Sequence, residues 1–255
     1  MSSEHGVWEW VRRIVCSPHS TYSAASDEQR ADFIAQDEFG FCLVSGVPAD
    51  PESTEALVRR ITFIRETHYG AFWDFTANLA HGDLAYSPQA LRAHTDTSYF
   101  SDPCGLQLFH LLSPRSTHEG GHNLLVDGFA CAAQLKRAQP KTYEFLSRVR
   151  VPAHASGTGS DTLPSGVFMR PHLHATPLTH DAITGELAAV RWNADDRDVV
   201  GSQVGWDAST VEQWYDAVRA WEAILRDEKN ELWTIMEPGT AISASLPSIT
   251  LARLR

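Results

Sequence analysis

The chain has 255 residues, 43% of them hydrophobic and 21% charged, with a formal net charge of −11. This composition predicts one folded domain with a sizeable core and excludes a disordered chain. The acidic charge argues against nucleic acids and anionic membranes as partners, because both select basic surfaces. No run reaches the roughly 18 apolar residues of a membrane span, and the four cysteines are scattered. We therefore expect an intracellular protein, cytoplasmic or mitochondrial, that has no association with membranes.

The first predicted elements are a strand and a helix. Residues 40–47 (GFCLVSGV) are a short apolar run stopped by Pro48, which is typical of a buried strand. Ser53 is expected to cap the helix that follows, and that helix is expected to end near Gly70. Its predicted apolar stripe consists of Leu57, Ile61 and Ile64.

The middle of the chain is predicted to consist of many short strands interrupted by helices. Between residues 71 and 200 the runs GLQLFHLL, NLLVDGF, RVRVPAH and AAVRWN are predicted strands, a pattern typical of a barrel or sandwich. Helices are predicted after Asp127 and after Pro140. The longest helix is predicted to begin at Ser209, which has capping-box spacing to Glu212. Its apolar face consists of Val211, Trp214, Val218, Trp221 and Leu225.

The end of the sequence shows little hydrophobic periodicity. Residues 241–255 lie beyond Pro238 and include Pro247, which predicts a poorly fixed tail. We accordingly divide the chain into an N-terminal segment of residues 1–37, a main domain of residues 38–240 and a divergent tail.

The stretch AHTDTSYF contains a candidate metal site. His94 and Asp96 are two residues apart in a segment whose threonines and aromatics favour an extended strand, so both side chains are expected on one face. Iron(II) in oxygenases is typically held by two histidines and one carboxylate on one face of the metal. A second H-x-D, His81 with Asp83, contains Gly82 and has the character of a turn. On the residues alone, the first pair is preferred and the second stays open.

Three aromatic residues form a candidate cation site. Tyr69 and Trp73 have a spacing that places them on one side of a helix or strand, and Tyr86 follows them. Tyrosine and tryptophan faces bind quaternary ammonium groups by cation–π attraction, and Asp83 would add a counter-charge. The alternative is ordinary core packing, which the spacing does not exclude.

Long motifs in the chain resemble one enzyme family. The segments RETHYGAFWDFTANLAHGDLAYSPQALRAHTDTSYF, EGGHNLLVDGF, VRWNADDR and NELWTIMEPG are similar to trimethyllysine dioxygenases, which are TauD/TfdA-like Fe(II)- and 2-oxoglutarate-dependent dioxygenases. The resemblance implies a double-stranded β-helix, that is, a mainly β jelly-roll or cupin-like fold with flanking helices. It also implies 3-hydroxylation of N6,N6,N6-trimethyllysine in carnitine biosynthesis, coupled to 2-oxoglutarate decarboxylation, with ascorbate as reductant.

The resemblance also assigns residues. It implies that His94 and Asp96 are iron ligands and that Asn123 contacts 2-oxoglutarate. It places substrate contacts at five positions: Tyr69, Trp73, Asp83, Tyr86 and Asn193. The substrate is thus a small molecule, and a homodimer is compatible with the sequence.

Several positions depart from the family pattern. Asn123 stands where the family has a hydroxyl residue, and Ala194 follows Asn193 where a second asparagine is usual. The last histidine is His180, so no residue occupies the position of the distal iron ligand. Arg253, near the chain end, is the candidate to replace the arginine that pairs with 2-oxoglutarate.

These departures predict incomplete C-terminal strands and little turnover by the chain as written. The third-ligand candidates upstream are His110, His122 and His154. Two alternative functions follow: a γ-butyrobetaine hydroxylase with the same iron motif and cage, or a non-catalytic protein that binds trimethylammonium groups.

Overall fold

The computed structural model describes residues 40–72, 74, 91–113, 122–157, 167–171, 174–245 and 249–253. These residues fall into two compact units. Unit 1 is drawn from Met1–Asp74, Leu106–Glu119 and Ile235–Ser245, and unit 2 from Phe75–Gly105, Gly120–Thr234 and Leu246–Arg255. The sequence-based limits at residues 37 and 240 remain a prediction.

Short strands and four α-helices make up the described part of the chain. The strands are β1 (Phe41–Val44), β2 (Leu106–His110), β3 (His122–Asp127), β4 (Ala155–Gly157), β5 (Val167–Met169), β6 (Leu178–His180), β7 (Leu187–Val190), β8 (Glu231–Ile235), β9 (Ala241–Ser245) and β10 (Ile249–Arg253). The helices are α1 (Pro51–Ile61), α2 (Gly128–Ala138), α3 (Pro140–Leu146) and α4 (Ala208–Leu225), with a 3-10 turn at Ser202–Val204. Among the described residues, no helix has both the length and the apolar character needed to cross a membrane.

Unit 1 is built on a three-stranded antiparallel sheet. Strand β9 lies between β1 and β2, with Phe41 opposite Ala244 and Leu106 opposite Ser245. Helix α1 covers this sheet through Leu57, which is buried with Val44 and Val47. The sheet therefore depends on a strand from the part of the sequence expected to be a loose tail.

That expectation is wrong for both strands beyond residue 240. In β9, four consecutive residues are buried, so small alanines and a serine fill the core without the alternation that marks a half-exposed strand. Strand β10 pairs antiparallel with β3 along its whole length.

Helix α1 is shorter than the sequence predicted, and a different residue caps it. Asp50 is the N-cap, because its Oδ1 accepts a hydrogen bond from the backbone N of Ser53 at 2.6 Å. Pro51 then occupies the first helical position. A backbone N–H at this position would have no partner within the helix, so the donor that proline lacks is not needed. The helix ends at Ile61 and not near Gly70, so Ile64 lies outside it.

Unit 2 contains a second three-stranded sheet, in the order β10-β3-β8, and the hairpins β4-β5 and β6-β7. The run RVRVPAH, predicted as a strand, forms only isolated bridges at Val151 and Ala153. The helices predicted after Asp127 and Pro140 are confirmed as α2 and α3.

Helix α4 supplies much of the core of unit 2. Trp214, Trp221 and Leu225 are each at most 2% exposed, as the apolar stripe predicted. The cap is Asp207 and not Ser209, because Oδ1 of Asp207 accepts from the backbone N of Thr210 at 2.8 Å. The helix therefore begins one residue earlier than predicted.

Candidate metal centre

The structure brings the side chains of His94 and Asp96 together. Nε2 of His94 lies 3.1 Å from Oδ1 of Asp96, and Nδ1 lies 2.6 Å from the carbonyl oxygen of Arg92. The residue between them is anchored to the neighbouring segment: the backbone N of Thr95 donates to the carbonyl of Trp192 at 2.7 Å. The Trp192 backbone N donates in return to the Thr95 hydroxyl at 2.8 Å.

The extended strand predicted for residues 93–100 is wrong beyond Thr95. The chain turns at residues 96–99, with Thr97 at a positive φ of 56°. Its carbonyl accepts from the backbone N of Phe100 at 2.9 Å, and its hydroxyl accepts from the backbone N of Cys104 at 3.1 Å. The Arg191 guanidinium also donates to the carbonyls of Ser98 and Phe100. Hydrogen bonds to this turn, and not the alternation of a strand, place Asp96 beside His94.

Burial and charge shift two pKa values at this centre. Burial lowers the pKa of His94, but the hydrogen bond and the charge of Asp96 outweigh it and raise that pKa to about 9. Burial raises the pKa of Asp196 to about 7, with the charge of Asp96 adding to the effect, although Ser98 Oγ donates to this carboxylate at 3.2 Å. Two carboxyl groups thus share the surroundings of a single imidazole.

The usual iron(II) donor set of an oxygenase is two histidines and one carboxylate. The neighbouring imidazole nitrogen and carboxylate oxygen of His94 and Asp96 match two of these three donors. Because Nδ1 faces the Arg92 carbonyl, Nε2 is the nitrogen available to a metal. Over the residues that the structure describes, no group of three or more His, Cys, Asp or Glu side chains is placed to hold a metal. The pair therefore supplies two donors, and its role as ligands stays a prediction.

The aromatic cage is described at only one of its positions. Tyr69 lies in a turn closed by hydrogen bonds between Thr67 and Gly70, and it is 39% exposed. An exposed tyrosine ring is accessible to a ligand. The other predicted members (Trp73, Asp83 and Tyr86) and the alternative ligand His81 lie outside the described residues.

The two predicted asparagine contacts have different surroundings. Asn123 lies in β3 directly opposite Arg253 of β10 in the register, which brings the two predicted 2-oxoglutarate positions to one place on the sheet. Asn193 closes a local turn, because its Oδ1 accepts from the backbone N of Asp195 at 3.0 Å and of Asp196 at 3.4 Å. This side-chain oxygen therefore serves the loop that carries Asp196.

Asp196 is the residue that sequence reasoning missed. The available signal was the Asn193-Ala-Asp-Asp order, since an asparagine two or three residues before a turn commonly bonds its backbone. Nothing local in that pattern points to His94, a hundred residues upstream.

Most of the chain matches the sequence pattern of one known family. The sequence pattern described as "Taurine catabolism dioxygenase TauD, TfdA family" matches residues 18–242. The chain belongs to this family. The resemblance inferred from the motifs is therefore confirmed.

Relatives of known name share substantial identity with this TauD/TfdA chain. It is 44% identical over 248 residues to "Trimethyllysine dioxygenase" of Neurospora crassa, covering 84% of the chain and 51% of the relative. It is 38% identical over 204 residues to "Trimethyllysine dioxygenase, mitochondrial" of Homo sapiens, covering 80% of the chain and 46% of the relative. The chain spans about half the length of the curated relatives it matches.

Solved structures of other proteins share the fold of this chain. PvcB of Pseudomonas aeruginosa matches with a TM-score of 0.61 at 14% identity, covering 93% of this chain and 77% of that one. An asparagine oxygenase solved with Fe(II), 3-hydroxyasparagine and succinate matches with a TM-score of 0.62 at 12% identity, covering 100% and 86%. At this identity the likeness shows the fold alone, and it confirms the predicted jelly roll with flanking helices.

Proposed function

We propose that this chain hydroxylates carbon 3 of N6,N6,N6-trimethyllysine in a reaction coupled to the decarboxylation of 2-oxoglutarate. The observation that carries the proposal is the 3.1 Å contact between His94 and Asp96, in a chain of the TauD/TfdA family. The names of the relatives from Neurospora crassa and Homo sapiens support trimethyllysine as the substrate. Carnitine biosynthesis would then be the pathway served.

His94 and Asp96 would hold Fe(II), which when bound supplies the oxidising chemistry that joins oxygen and 2-oxoglutarate to C–H hydroxylation. The Arg92 carbonyl oxygen contacts Nδ1 of the imidazole, so Nε2 would be the nitrogen that binds the metal. Asn123 and Arg253 would orient 2-oxoglutarate, and ascorbate would keep the iron reduced. Tyr69, with Trp73, Tyr86 and Asp83, would hold the trimethylammonium group, and Asn193 would be a further substrate contact.

The direct test combines binding with product analysis. The protein is incubated with Fe(II), 2-oxoglutarate, ascorbate and trimethyllysine, and the amino acid is analysed for a mass gain of one oxygen, with succinate measured alongside. Calorimetry then compares trimethyllysine with unmethylated lysine, which should bind more weakly because cation–π attraction favours the quaternary group. Equal affinities, or no loss on Trp73→Ala, would refute the cage.

Two alternative functions are separated by the same assay. A Pseudomonas "Gamma-butyrobetaine dioxygenase" is 34% identical over 118 residues, covering 46% of this chain and 30% of the relative, so γ-butyrobetaine is the competing substrate. A non-catalytic trimethylammonium-binding protein is the other candidate. Selective binding of trimethyllysine without any product would favour that second alternative.

The compartment and the oligomeric state are further proposals. The relatives from Gallus gallus and Homo sapiens carry "mitochondrial" in their names, which supports the mitochondrion over the cytoplasm. A homodimer stays a prediction, and sedimentation of the purified chain would test it.

A further inference from the structure

Asp196 is held in place by hydrogen bonds to both its backbone and its side chain. Its backbone N donates to Oδ1 of Asn193 at 3.4 Å, and its carbonyl oxygen accepts from the backbone N of His154 at 2.8 Å. Its Oδ2 accepts from Oγ of Ser98 at 3.2 Å, and Ser98 lies in the turn at residues 96–99. The carboxyl group of Asp196 therefore has a fixed position beside the turn that carries a proposed iron ligand.

Among the described residues, no lysine or arginine forms an ion pair with this carboxyl group, and Ser98 is the one side chain that donates to it. The carboxyl group interacts electrostatically with both His94 and Asp96. Burial raises the pKa of Asp196 to about 7, because it outweighs the charge of His94, which acts in the other direction. The side chain is only half-buried, so a ligand can reach it. A cationic group of a ligand would stabilise its charged form.

The proposed reaction brings such a cationic group to this place. Carbon 3 of trimethyllysine must approach the metal position at His94 and Asp96, because it is the carbon that is hydroxylated. The α-carbon is bonded directly to carbon 3, so the α-ammonium group is two bonds from the reacting carbon. An ammonium group has three donors and no acceptor, and it therefore needs oxygen atoms as partners. The carboxyl group of Asp196 offers such oxygen atoms beside the metal position.

We propose that Asp196 binds the α-ammonium group of trimethyllysine and thereby selects this amino acid over γ-butyrobetaine. The inference rests on the function proposed above. γ-Butyrobetaine has a carboxylate and no α-amino group, so it gives Asp196 no ammonium partner and places a like charge near it. Asn193 supports this role, because its Oδ1 holds the backbone of the loop that carries Asp196.

The test is calorimetry on the full chain, with Mn(II) and 2-oxoglutarate present so that binding is measured without turnover. Trimethyllysine is compared with ε-(trimethylammonio)hexanoate, which has hydrogen in place of the α-amino group and keeps both other charged groups. The wild-type chain should bind trimethyllysine at least about tenfold more tightly, because a charged hydrogen bond is lost with the analogue. Equal affinities would overturn the proposal and leave the trimethylammonium site standing. Binding of neither compound would overturn the proposed substrate and this inference with it.

Two substitutions in one loop assign the selectivity to a residue. Asp196→Asn keeps an acceptor for Ser98 and removes only the charge, so it should weaken trimethyllysine binding about tenfold and leave the analogue unchanged within about twofold. Asp195→Asn is the matched control, because Asp195 is exposed, and it should leave both affinities unchanged. Wild-type selectivity in Asp196→Asn would overturn the proposal.

A titration with Mn(II) alone separates substrate binding from support of the metal. If Asp196→Asn weakens the binding of both compounds equally and also weakens Mn(II) binding, Asp196 acts through the metal centre and the proposal is overturned. Mn(II) affinity within about threefold of the wild type, with the selectivity lost, is the expected result. Unfolding curves of both variants exclude a change of fold as the cause.

Discussion

Nε2 of His94 and Oδ1 of Asp96 lie 3.1 Å apart even though the chain between residues 96 and 99 is a turn and not a strand. A strand would also have placed the two side chains on one face, because strand side chains alternate with a period of two. The sequence therefore predicted the proximity of His94 and Asp96 correctly but their backbone conformation wrongly. What maintains the contact is the set of hydrogen bonds around Thr95 and Thr97.

Thr97 should therefore support metal binding without touching the metal. Thr97→Val removes the hydroxyl that accepts from the backbone N of Cys104, and we expect a loss of about 1–2 kcal/mol in the free energy of unfolding. Anaerobic Fe(II) titration should also show weaker binding. Thr97→Asn is the control, because asparagine tolerates the positive φ of 56° and offers an acceptor. Wild-type behaviour of the valine variant would contradict this role.

Arg253 and Asn123 should act together on 2-oxoglutarate, since they are opposite one another in the register of β10 and β3. We expect Arg253→Gln to weaken 2-oxoglutarate binding by about tenfold or more in calorimetry with Mn(II) in place of iron, because an arginine–carboxylate pair is lost. Asn123→Ala should have the smaller effect. Arg59→Gln, whose arginine pairs with Glu55 on the exposed side of α1, serves as the control. An unchanged affinity for Arg253→Gln would remove it from the cosubstrate site.

His110 should make stability depend on pH. Burial lowers its pKa from 6.5, although the charge of Asp50 acts in the other direction, and Nδ1 lies 2.7 Å from the Thr54 hydroxyl. Below pH 6.5 the unfolded chain takes up this proton first, so the stabilisation is complete above 6.5 and is lost as the pH falls through the lower pKa of the folded state. His110→Gln should flatten the decline in unfolding free energy between pH 7.5 and 5.5. An equal or steeper decline in the variant would refute this assignment.

The tryptophan cluster of unit 2 offers a matched pair of substitutions. Trp192 and Trp214 have ring centres 6.0 Å apart, but only Trp192 uses its indole N–H, donating to Glu222 at 3.1 Å. Nε1 of Trp214 has no partner in the described part of the chain. Trp192→Phe should therefore destabilise the chain by about 1–2 kcal/mol more than Trp214→Phe in urea unfolding. The reverse order would show that packing and not the hydrogen bond dominates.

Much of the core could be predicted from the sequence, because the burial of its side chains follows local hydrophobic periodicity. The apolar stripe that includes Trp214, Trp221 and Leu225 identified the buried face of α4, and Pro140 marked the start of α3. Caps were less predictable. Ser53 and Ser209 are favourable capping residues by type, but the helices begin earlier, at Asp50 and Asp207, and only the geometry shows which residue is the cap.

Contacts between residues far apart in the sequence could not be predicted from local periodicity. Strand β9 is rich in small residues and has no alternation, because it is buried between two other strands. Asp196 comes close to His94 and Asp96 through long-range contacts, the pairing of Thr95 with Trp192 and the hydrogen bond from Ser98, which no local pattern encodes. The family motifs implied that His94 and Asp96 are iron ligands. The electrostatic interactions of that pair, by contrast, could be seen only in the folded structure.

The central claim is that His94 and Asp96 hold the metal, and Fe(II) titration under anaerobic conditions tests it most directly. The wild-type chain is compared with His94→Ala and with His81→Ala, which removes the histidine of the other H-x-D motif. We predict that His94→Ala weakens binding by at least about tenfold and that His81→Ala leaves it unchanged. Retained binding in His94→Ala together with its loss in His81→Ala would contradict the account.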